Sequence, residues 1–139
     1  MNFTELGYSG RADLAKKATD PKLLDMLLHF EMRDLNNTGT GTGIISEILE
    51  NECIEIKTLL EYAQHCETFL NSVRTSSMMQ NDLIRILNML VKRKRQGVQI
   101  GINQHRLAEL GKAAGIDNLK LVRLLSGESA SSLGLFGML

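Results

Sequence analysis

The chain has 139 residues, of which 43% are hydrophobic and 23% are charged, and its formal net charge at pH 7 is zero. This length suits one hydrophobic core, and the composition excludes the disordered class, which combines low hydrophobicity with high charge. No run reaches the roughly 18 apolar residues that span a bilayer, and Cys53 and Cys66 follow no secretory signal, so we expect free thiols, no membrane and a cytoplasmic location.

Helix signals dominate the first half of the chain. Asp20 is a typical N-cap residue, and Pro21 suits the first position of a helix, so we expect a helix from there toward Leu35. A shorter amphipathic helix over residues 11–18 precedes it.

Glycine and threonine then interrupt the helical pattern. Residues 36–43 alternate Gly with polar residues, which predicts a flexible loop. Helical periodicity resumes over residues 44–73, with a break expected near residues 51–53.

The second half contains three further helices. The polar cluster at residues 75–77 predicts an N-cap for a central, deeply buried helix that ends at Lys92, Arg93, Lys94 and Arg95, before Gly97. Asn103 or Gln104 begins the next helix, and Asp117 caps the last one, which runs to Gly127. Residues 128–139 are predicted to be a flexible tail with apolar anchor residues.

The elements together predict an all-α fold of about six or seven helices, with a single helical domain over residues 1–127. Leucine pairs recur at the ends of short amphipathic stretches, as in Asp20-Pro-Lys-Leu-Leu-Asp-Met-Leu-Leu. This pattern resembles the variant leucine-rich and HEAT-like repeats, which implies stacked helical hairpins in a short α-solenoid that serves as a binding scaffold. An irregular helical bundle is the alternative fold.

The sequence contains no recognisable catalytic or metal-binding constellation. The three histidines and two cysteines lack zinc-ligand spacing, and no nucleophile stands with a base and an orienting partner. We therefore expect a non-enzymatic protein without cofactor or metal.

Charge divides unevenly along the chain. Residues 1–69 carry six Lys and Arg against twelve Asp and Glu, whereas residues 70–139 carry ten against four. This asymmetry favours an acidic partner for the basic half or self-association. The leading hypothesis is a protein–protein interaction module, an adaptor that binds an acidic partner protein through Lys92, Arg93, Lys94 and Arg95, with Leu135 and Phe136 as apolar anchors.

A helix-turn-helix-like segment over residues 103–127 suggests an alternative function. Leu110, Gly115, Ile116, Leu121, Leu124 and Gly127 follow the spacing of core residues and closing glycine in phage-repressor-type helix-turn-helix domains. Residues 117–126 thus resemble a recognition helix, and the resemblance implies a small DNA-binding regulator in which Lys120 and Arg123 contact DNA and the basic cluster contacts phosphates.

Overall fold

The computed structural model describes residues 2–38, 43–72 and 76–136. Within these ranges the chain forms seven α-helices and no β-strand, which confirms the all-α prediction. The helices are α1 (Phe3–Lys17), α2 (Pro21–Thr38), α3 (Gly43–Leu49), α4 (Ile56–Ser72), α5 (Ser77–Arg95), α6 (Gln104–Ala113) and α7 (Asn118–Leu125). None of these helices is both long and apolar enough to cross a bilayer.

The chain divides into two compact units, Met1–Thr58 and Leu59–Leu139, where the sequence predicted one domain over residues 1–127. The two units have opposite formal charge. The first contains six Lys and Arg against ten Asp and Glu, and the second contains ten against six. The charge asymmetry of the sequence is therefore also an asymmetry between the two units.

The first unit is built from α1, α2 and α3. Helix α1 begins eight residues earlier than predicted and bends at Gly7, whose φ of 66° lies in the left-handed region. Asn51, in the break between α3 and α4, donates through its amide nitrogen to the carbonyl oxygens of Ala15 and Ala18 at 2.8 and 3.0 Å. This side chain thereby satisfies acceptors at the end of α1 that have no partner within the helix.

An ion pair lies within the same unit. The Arg11 side chain donates to the buried Glu31 carboxylate at 2.7 Å and lies 5.3 Å from the centre of the Phe30 ring. Phe30 also contacts Phe3, with 5.5 Å between ring centres. The Glu31 side chain is fully buried, so this charge-assisted contact with Arg11 helps to fix how α1 meets α2.

Helix α5 is the centre of the second unit, as predicted. Ser76 caps its N-terminus by accepting from the Met79 N–H, and Gly97 has a φ of 87° just beyond its end. Its buried residues occupy most of its circumference: Met79, Gln80, Asp82, Leu83, Ile84, Ile86, Leu87, Met89, Leu90 and Val91. Helices α6 and α7 both pack on α5 and on each other.

The two segments predicted to be flexible differ from that prediction. Residues 36–38, assigned to the flexible loop, are the last residues of α2, Gly43 begins α3, and residues 39–42 lie outside the described part of the chain. The tail predicted to be flexible is packed over residues 129–136. Ala130, Leu133 and Leu135 are buried, and the Ala130 N–H donates to the Asn88 side chain at 2.9 Å. The burial of these apolar side chains stabilises the segment despite its serine and glycine content.

Candidate functional site

The candidate site begins with the hairpin formed by α6 and α7. Asn103 and Asp117 cap the two helices, accepting from the N–H groups of Arg106 and Lys120 at 2.9 and 3.0 Å, as the sequence predicted. The four residues 114–117 join the helices, and within them Gly115 has a φ of 78°. A side chain there would be strained and would also meet the Gln80 amide of α5, so this turn requires glycine.

The two helices cross at a glycine. A Cβ atom on Gly111 of α6 would overlap the Leu121 side chain of α7, and both residues are buried. Glycine therefore allows Leu121 to pack directly against the α6 backbone. Because Leu121 and Leu124 face inward, the opposite side of α7 faces solvent.

The solvent-facing side of α7 is largely apolar. Leu119 is 78% exposed and Val122 is 64% exposed. They lie three residues apart and so share one face of the helix, which we call the α7 strip. Exposed Asn118 and Arg123 adjoin the α7 strip on the same short helix, so its surface combines apolar and polar side chains.

The predicted basic cluster separates into different environments. Lys94 donates to the Gln104 side chain at 3.2 Å, while Arg95 donates to the Ser126 carbonyl oxygen at 2.7 Å, at the end of α7. Lys92 and Arg95 line a cavity of about 310 Å³, and Arg93 is half-buried. The cluster is thus a junction between α5 and the two following helices as well as a charged surface.

Both cations predicted on α7 are present on its surface. Arg123 forms a two-pronged ion pair with Glu128, with 3.0 Å between Arg123 Nη2 and Glu128 Oε1. The guanidinium lowers the pKa of Glu128, and the carboxylate raises the pKa of Arg123. Lys120 is half-buried. Arg123 therefore meets any anion only in competition with Glu128.

Leu135 and Phe136, which the sequence analysis predicted to anchor a partner, instead pack within their own chain. Leu135 is only 2% exposed because it packs inside its own chain, so its assignment to partner binding was wrong. Phe136 is half-buried, and the Arg85 guanidinium lies 5.1 Å from the centre of its ring. This cation–π contact holds the segment against α5.

A buried polar network lies beside that contact. Tyr62 donates its hydroxyl to Asp82 at 3.0 Å, and Arg85 donates to the other carboxylate oxygen at 3.2 Å. Burial and the nearby Asp82 charge raise the pKa of both Tyr62 and Cys66, so both keep their protons at neutral pH. The Cys66 thiol thus lacks the thiolate form that nucleophilic catalysis needs. The network holds α4 against α5.

A second polar link also involves α4. Arg106 of α6 donates to both carboxylate oxygens of Glu67 at 2.7 Å. The hydrogen bond from Arg106 lowers the pKa of Glu67, and the pKa of Arg106 is raised in return. This pair fixes the start of α6 relative to α4 and so the direction of the hairpin.

Comparison of this chain with protein-family models, with curated proteins and with solved structures finds no match.

Proposed function

We propose that the second unit, Leu59–Leu139, binds duplex DNA, with α7 in the major groove and the basic end of α5 against the phosphate backbone. The observation that carries this proposal is the α6–α7 hairpin, which crosses closely at Gly111 and leaves one face of α7 in solvent. Helix-turn-helix proteins read DNA with the second of two helices. A short turn that often contains glycine joins the two helices, and the first helix holds the second one outward.

The dimensions and chemistry of α7 support this role. An α-helix with its side chains is about 10–12 Å across, which fits a major groove about 12 Å wide, and the eight residues of α7 give a length of about 12 Å. Asn118, at its exposed N-terminal end, carries the amide that pairs with adenine, and the Leu119 and Val122 side chains can contact thymine methyl groups. The α7 strip therefore suits A·T base pairs better than G·C pairs.

The charge of the second unit supports the same proposal. Its ten cations against six anions provide the positive field that attracts a phosphate backbone. Arg95 hydrogen-bonds the end of α7, so cationic α5 residues adjoin the helix proposed to enter the groove. Phosphate contacts from such residues would set the position of α7, and its side chains would supply base preference.

The test is fluorescence anisotropy of a labelled mixed-sequence duplex titrated with the full chain at several salt concentrations. We expect saturable binding whose affinity falls steeply with salt, because each phosphate contact contributes a slope of about −0.9 in log K against log salt. Lys92→Gln with Lys94→Gln is expected to lower the low-salt affinity roughly tenfold and to make the slope shallower by about two units.

A matched control comes from the first unit. Lys16→Gln with Lys22→Gln removes the same charge from exposed positions on α1 and α2 and is expected to leave DNA affinity within about twofold. Absence of binding at low salt, or equal losses in the two double variants, would contradict the proposal.

A second candidate function is the protein-interaction module, and the observation that favours it is the apolar character of the α7 strip. An adaptor would bind a partner with an apolar patch edged by acidic residues, since Lys120 and Arg123 flank the strip. In that case the chain would fail to bind duplex DNA at low salt. It would retain an acidic protein in a native pull-down, and Leu119→Ser with Val122→Ser would release that protein.

A further inference from the structure

We propose that the cavity between the last turn of α5 and residues 127–129 is a binding site for a phosphate group. The cavity has a volume of about 310 Å³, at the lower end of the range of ligand pockets. Its lining includes Asn88, Lys92, Arg95, Gln96, Gly127 and Glu128.

Charge is the first argument for an anionic ligand. Lys92 and Arg95 lie three residues apart and so project from one face of α5 into the lining. Glu128 is an acidic residue of the lining, but its carboxylate is bound in the two-pronged ion pair with Arg123. The lining of the cavity therefore contains two cationic side chains and one carboxylate, and that carboxylate is paired with Arg123 outside the lining.

The backbone at the end of α5 opposes an anion less than an uncapped helix end would. The end of a helix normally exposes carbonyl oxygens that repel anions. Here the carbonyl oxygens of Lys92, Arg93 and Lys94 accept hydrogen bonds from the N–H groups of Gln96, Gly97 and Val98. Partnered carbonyls weaken the opposition that the end of α5 would otherwise offer to bound phosphate.

Contacts within the second unit fix the position of the Arg95 guanidinium beside the cavity. The Arg95 guanidinium donates to the Ser126 carbonyl oxygen at 2.7 Å, which leaves its other N–H groups for a ligand. A Cβ on Gly127 would overlap that guanidinium, and the φ of 111° at Gly127 is itself one that other residues rarely adopt. Glycine at position 127 thus allows Arg95 to reach the cavity.

Neutral donors complete the lining. Asn88 accepts from the Ala130 N–H through Oδ1, so its amide nitrogen is the group that can donate to a ligand. The side chain of Gln96 is exposed at the mouth of the cavity. Two cations with amide donors match the several acceptor oxygens of a phosphate better than a single apolar group would.

The phosphate group could belong to a small phosphorylated molecule or to the backbone of bound DNA. The second source depends on the proposed function, whereas the first does not. Inorganic phosphate is the probe that reports the shared chemistry.

The first experiment is a titration of the full, isotope-labelled chain with inorganic phosphate at constant ionic strength, followed by amide chemical shifts in NMR. We expect saturable shifts at residues 127–130 and at the Asn88 side chain. Lys92→Ala should weaken binding at least tenfold, and Arg95→Lys should weaken it while keeping the charge. Lys94→Ala is the matched control, since Lys94 belongs to the same basic run but does not line the cavity.

The proposal would be overturned if the amide shifts failed to saturate. It would also be overturned if Lys92→Ala and Lys94→Ala weakened phosphate binding equally. Unchanged amide spectra elsewhere in each variant would establish that the fold is intact. The Lys94→Ala result distinguishes a defined site from general attraction to a basic surface.

The second experiment repeats the duplex titration with inorganic phosphate present at constant ionic strength. If the DNA backbone supplies the group, phosphate will lower DNA affinity in the wild-type chain and in Lys94→Ala but will have little effect in Lys92→Ala. If a small molecule supplies it, phosphate will bind without changing DNA affinity. Phosphate binding without any DNA binding would support the phosphate site and contradict the proposed function. DNA binding without any phosphate binding would support the proposed function and contradict the phosphate site.

Discussion

The orientation of α7 is tested by truncating two leucines on opposite faces of this one helix. Leu124 is fully buried and Leu119 is 78% exposed. Leu124→Ala removes buried methyl groups and leaves a cavity, which costs about 2–5 kcal/mol of unfolding free energy. Leu119→Ala removes a side chain that already contacts water, so its cost is about 0.5 kcal/mol or less.

The assay is thermal and urea unfolding followed by far-ultraviolet circular dichroism. For the second unit, the Leu124→Ala loss corresponds to a decrease of about 10 °C or more in the midpoint of its transition. Leu119→Ala should move it by only a few degrees. Equal destabilisation by both variants, or a larger effect at Leu119, would refute the orientation of α7 and with it the exposed strip.

Three further predictions concern the turn, the ion pair on α7 and acid stability. Gly115→Ala should destabilise the chain by about 1–3 kcal/mol in urea unfolding, because alanine is strained at a positive φ, and unchanged stability would contradict the turn. Glu128→Gln should raise the low-salt DNA affinity roughly fivefold in the anisotropy assay by releasing Arg123, and a loss of affinity would count against a DNA-facing Arg123. Burial lowers the pKa of His65 below its usual 6.5, so the unfolded chain binds more protons and stability should fall as the pH drops through that value. The hydrogen bond from Arg106 lowers the pKa of Glu67 below 4.5, and its contribution is lost at still lower pH. In unfolding measured as a function of pH, His65→Gln should abolish the loss of stability near pH 6.5 and leave the loss below pH 4.5 that comes from Glu67.

Local signals in the sequence were enough to predict most helix starts. Asp20, Asn103 and Asp117 each carry a side-chain oxygen that satisfies a nearby N–H group, so the signal and its effect lie within four residues. The start of α1 escaped prediction because Gly7 interrupts the periodic pattern that would have extended that helix to Phe3.

Features that depend on distant residues could not be predicted. Residues 129–136 look flexible by composition, yet Asn88 of α5 accepts from the Ala130 N–H and Arg85 of α5 lies over the Phe136 ring. The exposure of Leu119 and Val122 was missed because a short helix with five apolar residues does not reveal which side faces the core. Only the close crossing at Gly111 settles the orientation of α7.

The candidate site was predicted in part. The basic run and the two α7 cations were identified from residue type alone, and all of them belong to the second unit. The cavity was not predictable, because Lys92 and Arg95 line it together with residues 127–129, which lie more than thirty positions later in the chain. The ion pair between Arg123 and Glu128 was likewise hidden, since either residue alone looks like an ordinary surface charge.

The most direct test of DNA binding through α7 is an NMR titration of the full chain with a short A·T-containing duplex. We expect the largest amide shifts at Asn118, Leu119 and Val122, with smaller shifts at the end of α5 and none of comparable size in the first unit. Shifts concentrated outside α7, or no shifts at low salt, would contradict DNA binding through α7.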